Sequence, residues 1–474
     1  MRHDLLAGAA LALALPAAAS AQGHDHATAA PASEPGPAPA EAQPHAHSAP
    51  ETAAEPAGPE PHPGDHGSSQ PAGHSAMDHA TMDHGGMDHA AMGHMASDRA
   101  EGSGTARLPA AEGMMPGLHF DIGAGWSGMA HGYAWLVHTD QGGPRGDAKT
   151  YVQSMAMLMA ERRWDGTRLQ LRTMLSAEPL MDARGYPNLF ATGETANGEP
   201  LVDRQHPHDL FMELAGRIDV DVAPGTSAFL YGGPVGEPAL GPSAFMHRAS
   251  ASLNPEAPIT HHWFDSTHIT YGVVTAGLAS RAWQIEASAF RGEEPDEERW
   301  GIETPRLDSW SVRATLAPSA NWVMQASYGR LEEPEALHPG EDEARTTASV
   351  QYNSGGGLSA LAAFSAKNRV PGDTLTAWLG EVNWDLAERH TLFGRVEDVA
   401  NDELFPDHDD PLHDRAFRIT KLQAGYAYTL PVGSALALSL GGTAATFVKP
   451  DALDAAYGDD PMSFTAFAKL TLGG

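Results

Sequence analysis

Residues Asp209 to Val222 read DLFMELAGRIDVDV. In an extended chain successive side chains point to opposite sides, so this stretch divides into two faces. Leu210, Met212, Leu214, Ile218, Val220 and Val222 share one face, and Asp209, Glu213, Arg217, Asp219 and Asp221 share the other. The stretch is therefore read as a strand with a greasy side and a charged side. RLQLRTML repeats the pattern, with Arg168, Gln170 and Arg172 opposed to Leu169 and Leu171. In SWSVRATL, Trp310, Val312, Ala314 and Leu316 oppose Ser309, Ser311, Arg313 and Thr315.

The links between such strands alternate in length. Short ones fall at Asp165-Gly166, Pro224-Gly225, Ser280-Arg281, Pro318-Ser319, Gly355-Gly357, Glu388-Arg389 and Val432-Gly433. Longer polar links fall at 140–148, 177–206, 234–266, 293–306, 332–343, 368–373, 401–414 and 449–461. Eight long and seven short links imply about 16 antiparallel strands, the pattern of an outer-membrane β-barrel whose short turns face the periplasm. Alternation alone also suits a soluble β-sandwich or propeller. Strands of ten or more residues, the loop asymmetry, and aromatic residues near strand ends (Trp164, Trp283, Trp310, Trp322, Trp384, Tyr426, Tyr428) favour the barrel. The expected fold class is thus all-β, a transmembrane antiparallel barrel over residues 114–474.

What precedes the barrel differs in texture. Arg2, the apolar run Leu5 to Leu15, and Ala19-Ser20-Ala21 read as a signal peptide over residues 1–21. Residues 22–113 are Ala, Pro, His, Glu and Gly with almost no Leu, Ile or Val, too little apolar surface to offset ordering entropy, and are expected to be disordered. No later run approaches the roughly 20 apolar residues of a spanning helix. The chain has no cysteine, so disulfides and thiolate metal sites are excluded. Its formal charge of −32 argues against nucleic acid as a partner.

Within that segment, MDHATMDHGGMDHAAMGHM sets Met77, Met82, Met87 and Met92 at a period of five, with His79, His84, His89 and His94 each two positions on, and Met95 closing the run. Thioether sulfur is soft and suits Cu(I), while imidazole serves both copper oxidation states, so the pair favours copper. His24, His26, His45, His47, His62, His66 and His74 extend the supply. A low-complexity spacer with incidental histidines, and a His-rich tail for zinc or nickel, are the competing readings; neither accounts for the periodic methionines. The MDH repeats behind a signal peptide and ahead of a barrel resemble the copper resistance protein B family. That resemblance implies a copper-binding leader at the outer membrane, with Met77, His79, Met82, His84, Met87, His89, Met92, His94 and Met95 as ligands.

A second group of histidines lies where long links meet strands: His206 and His208 in DRQHPHD, His247 in FMHR, and His261, His262 and His268 in THHWFDSTH, with Asp203, Asp209 and Asp265 among them. Convergence of these segments would give a site for Cu(II) or zinc, although inward loops also use histidine simply to satisfy buried backbone. Met155, Met157 and Met159 alternate on one strand face, read more readily as apolar wall than as a thioether ladder. The acidic loops EEPDEER, LEEPEALHPGEDEA and NDELFPDHDDPLHDR read as a solvated rim, bridged by divalent ions to lipopolysaccharide. Nucleophile elbows, phosphate loops and dinucleotide fingerprints are missing, so an enzyme is not expected. The sequence thus points to an outer-membrane barrel that binds copper and contributes to copper tolerance or export, with a periplasmic copper oxidase or chaperone as a protein partner. A porin or substrate-specific channel, a zinc or nickel binder, and a copper-delivering chaperone are the alternatives.

Overall fold

The computed structural model describes residues 100–473. The signal peptide and the Met/His repeat lie outside the described residues. Seventeen strands build one cylinder: β1 (Leu118–Gly123), β2 (Trp126–Gln141), β3 (Ala148–Trp164), β4 (Thr167–Leu175), β5 (Phe211–Ala223) and β6 (Thr226–Gly236) come first. Then follow β7 (Thr270–Ser280), β8 (Trp283–Phe290), β9 (Ser309–Ser319), β10 (Trp322–Leu331), β11 (Asp342–Asn353) and β12 (Leu358–Val370). The last five are β13 (Thr374–Ala387), β14 (His390–Asn401), β15 (Phe417–Val432), β16 (Leu436–Val448) and β17 (Met462–Leu472). From β2 to β17 each strand pairs antiparallel with its sequence neighbour, and β17 closes the ring on β2 from Ser463↔Gln141 to Leu472↔Gly132. Where β17 stops, β1 continues along the same edge of β2, from Leu118↔Ala130 to Gly123↔Trp126. The two lie end to end as one composite strand, so the barrel is 16-stranded. Gly473, at φ +80°, sits so close to Gly117 that a Cβ there would meet its Cα at 2.3 Å.

Burial follows the two-residue period. Leu136, Val152, Leu158, Leu171, Ile218 and Ile285 stand exposed on the outside, as a lipid-facing surface requires. Outward aromatics gather at both ends, Trp164, Trp322 and Trp384 near the short turns, Trp310, Tyr328 and Trp378 near the long loops. Alternate positions point inward and are polar: Arg313 meets Glu286 at 2.9 Å and Arg395 meets Glu381 at 3.1 Å.

Three features depart from the expectation. A bulge between Phe211 and Glu213 turns Met212 inward, although simple alternation puts it with the outward Leu214 and Ile218. The link expected at 368–373 shrinks to residues 371–373, because β12 and β13 extend into it. The segment expected to stay unfolded through residue 113 instead has a defined path from Ala100 onward, inside the barrel at its short-turn end. Its acidic and polar groups find luminal partners, which is why it orders without a hydrophobic core of its own. Glu101 pairs with Arg168, and Thr105 donates to Glu286 at 2.5 Å.

Two long links fold into the bore from the other end. Residues 237–269 cross to the far wall, where Arg248 reaches Glu381 on β13, Thr260 N donates to Glu397 on β14 at 3.0 Å, and Lys421 on β15 reaches Glu256 at 2.9 Å. Residues 176–210 lie beside them. Phe190, Ile259, Trp263 and Phe264 from these links pack on Leu379, Val399, Ile419 and Phe447 of the inner wall, an apolar core within the lumen.

Candidate metal centre

The long links bring five of the six loop histidines together. His206 and His208 follow a two-stranded ribbon made by Tyr186–Pro187 and Arg204–Gln205. Asp209 ends that run, held by Arg299 at 3.0 Å and by the Tyr271 hydroxyl. His261 and His262 occupy a single helical turn, His261–Phe264, fixed to the wall through Thr260 and Glu397. Asp265 closes the turn, its N–H donating to His261 O at 2.8 Å, and its carboxylate pairs with the fully buried Arg248. His268 follows on the next turn.

Ring centroids trace a closed circuit: His206 to His208 6.1 Å, His208 to His268 5.2 Å, His268 to His261 5.1 Å, and His261 to His206 5.8 Å. His262 stands beside it, 5.2 Å from His261 and 5.8 Å from His206. Phe245 covers one side, 5.7 Å from His261 and 6.3 Å from His208. Ligand atoms of His206, His261 and His262 lie within 4.8 Å of one another, as do those of Glu194, His262 and Glu294. A tetrahedral metal with bonds of about 2.0–2.1 Å needs its donors about 3.3 Å apart, a spacing these side chains would reach by small rotations.

The hydrogen bonds give most of these rings an orientation. His268 Nδ1 lies 2.6 Å from the Asp265 carbonyl, which only accepts, so the proton sits on Nδ1 and Nε2 keeps a lone pair. His208 Nδ1–H donates to Glu178 Oε2 at 2.9 Å. Nε2 of His208, Nε2 of His268 and Nδ1 of His261 are buried without a hydrogen-bond partner. In His208 and His268 one ring nitrogen is anchored to a carboxylate or carbonyl and the other left open, the arrangement of a metal-ligating histidine. Such open buried nitrogens are costly in a merely structural polar network.

Burial first, and the neighbouring rings second, push His261 and His268 far below the usual imidazole range, so both are neutral and ready to donate. His206 is lowered by burial, although its Nε2 lies 2.9 Å from Glu194. Burial opposes a proton on His262 too, but Glu294, 3.1 Å away, raises it to about 9. His208 is raised in the same way by Glu178 against its burial.

His247 does not join the group. It lies on the other side of the Phe245–His247 turn, facing His131 on β2 and Arg172 on β4, and burial takes its pKa down to about 3. Asp203 is engaged elsewhere, accepting from Phe190 N at 2.8 Å and pairing with Arg145 at 2.7 Å. Glu178, Glu194 and Glu294, which the sequence reading did not single out, supply the carboxylates. Glu294 belongs to EEPDEER, read as solvated rim, yet its side chain is 6% exposed, and Arg299 of that loop and Glu335 and Glu403 of the other two are buried. Glu335, His338 and Glu403 also lie within metal-binding distance, but Lys367 and Arg369 already neutralise those carboxylates. The leader residues expected as ligands, Met77 to Met95, lie outside the described residues.

No protein-family profile and no curated protein matches this sequence. Among solved structures, the chain is similar in outline to Salmonella typhi OmpF in complex with daunomycin, at 8% identity and a TM-score of 0.49, over 75% of this chain and 100% of that one. OprB of Pseudomonas putida aligns at 12% identity and a TM-score of 0.45, over 73% of this chain and 94% of that one. An anion-selective porin from Comamonas acidovorans aligns at 10% identity and a TM-score of 0.44, over 73% and 99% of the two chains. No residue role carries over from them. The chain itself is a closed sixteen-strand β-barrel of outer-membrane type.

Proposed function

We propose that this protein is an outer-membrane barrel that binds copper in two places, a periplasmic Met/His leader and a luminal imidazole centre, and that it serves copper tolerance or export. The observation that carries the luminal part is the set of open buried nitrogens on His208, His261 and His268, within a circuit completed by His206, with His262 beside it. Imidazole with carboxylate suits Cu(II) and zinc alike, whereas the leader's thioethers favour copper. The leader joins at the short-turn end, which faces the periplasm in barrels of this kind. A general porin is the competing reading; against it stand two long links and residues 100–112 folded into the bore.

The test is the metal content of the full chain purified from membranes, beside a form lacking residues 74–95 and a form carrying H261A and H268A in that shortened chain. Loss of most copper with the leader, and of the residual metal with the two histidines, is the expected result. Unchanged copper stoichiometry without the leader would sink the assignment of its ligands. Equal metal in the shortened chain with and without His261 and His268 would sink the luminal centre.

A further inference from the structure

Methionine is also concentrated on the luminal side of β2, β3 and β4. Met129 on β2 stands opposite Met159 on β3, and His131, Met157 and Met174 form one cross-strand row over β2, β3 and β4. Directly opposed residues carry their side chains on one face, with Cβ atoms about 4.5–5.5 Å apart. Met155 stands one position along from Met157 on that inward face. Met212, turned in by its bulge, and Met115 and Met246 pack on the same cluster. Met157 is only 1% exposed, whereas Val152 and Leu158 on the other face of β3 stand outside.

Methionine in a core is ordinarily a flexible filler. Here it occupies the face that carries Arg, Glu, Gln, Ser and Thr around most of the cylinder, while Leu and Val serve the apolar side of the same strands. A second observation points to a ligand. A cavity of about 260 Å³ opens beside these thioethers, lined by Met115, Met129, Met157 and Met159 and, on its other side, by Arg163, Arg168 and Arg172, whose charges are taken up by Glu161, Glu101 and Glu213. Ala100 and Glu101, the first described residues after the Met/His leader, border it. Next to this patch, His247 Nε2 is buried without a hydrogen-bond partner. At its far side the patch abuts the imidazole centre: Met246 adjoins Phe245, which lies against His208 and His261, and Ile269 of the cluster follows His268.

We infer that the thioethers of Met129, Met157, Met159 and Met174, with His131 beside them, form a luminal site for a soft monovalent cation, Cu(I), between the leader and the imidazole centre. The inference rests on the copper reading above and adds a third binding place to it. Thioether sulfur is neutral and soft, so such a site takes Cu(I) or Ag(I) and passes over zinc, calcium and magnesium.

The experiment uses the full chain with Met77, Met82, Met87, Met92 and Met95 changed to Leu, so that no leader sulfur contributes. Loaded with one equivalent of Cu(I), it should show sulfur neighbours in its copper X-ray absorption spectrum. Adding M157L and M174L, which keep volume and apolarity, should cut the sulfur signal by about half and weaken Ag(I) binding at least tenfold in a competition titration. M324L, on the outer face, should change neither. A nitrogen-only spectrum in the leader-silenced chain overturns the inference, as does a sulfur signal left undiminished by M157L/M174L in a folded barrel. The first spectrum stands whether or not the double variant folds. If sulfur is missing while H261A/H268A still loses metal, only this site falls; if the parent chain binds no copper at all, the copper reading falls with it.

Discussion

His261 and His262 are adjacent in sequence and opposite in protonation. His261 sits among other imidazoles and stays neutral, whereas His262 pairs with Glu294 and holds its proton up to about pH 9. If the metal takes His206, His261 and His262 together, that proton has to leave. Metal affinity should therefore rise with pH, up to about tenfold per unit between pH 7 and 9, and level off above. Calorimetry in buffers of different ionisation enthalpy should count close to one proton released by His262 at neutral pH, and none in H262A. In the metal-free protein the sign is opposite: the raised pKa adds stability that is complete below about 6.5, the unfolded value, and is lost as pH rises through about 9. Histidine clusters in loops stand out by their density, which is why the sequence pointed to the five histidines that the fold brings together. It could not place His247 on the opposite side of a turn from Phe245, because a loop has no period from which to read a direction.

At the scale of elements, the strands were legible and the path of the loops was not. Two-residue alternation sets which side of a strand meets lipid, so the faces of β4, β5 and β9 follow from their residues, with the bulge at Met212 as the exception. Residues 237–269 carry no such signal, and their destination is set by partners on distant strands that look in sequence like ordinary polar positions. Arg248 is the main fastening, sharing two buried carboxylates, Glu381 and Asp265, and donating to Ser243 O at 2.9 Å. Replacing it by Met leaves Asp265 without a guanidinium and Glu381 with Arg395 alone, and removing one partner of a buried pair costs about 3–5 kcal/mol. Arg248→Met should therefore detach the link from the wall while the cylinder stays closed. The expected readouts are faster proteolysis within 237–269, at least tenfold weaker metal binding, and unchanged heat-dependent gel mobility of the barrel. Arg248→Lys should recover part of the binding.

For the whole molecule, a bore filled from both ends implies little ionic conduction. In planar bilayers the intact chain should pass small or intermittent currents, and removal of residues 239–266 should give a steady pore at least several-fold larger. A large, steady, copper-independent current from the intact chain would instead return the protein to the porins. The fastening of Glu101 to Arg168 has one more consequence. Met95 precedes that anchor by six residues, so the end of the repeat cannot stray more than about 20 Å from it. If the repeat holds copper as proposed, an ion passed on by direct ligand exchange would meet the barrel's own groups at an effective concentration of order millimolar, set by that tether. On that proposal, capture by the barrel would be an intramolecular step, governed by the length of the tether more than by how much copper the surrounding fluid holds.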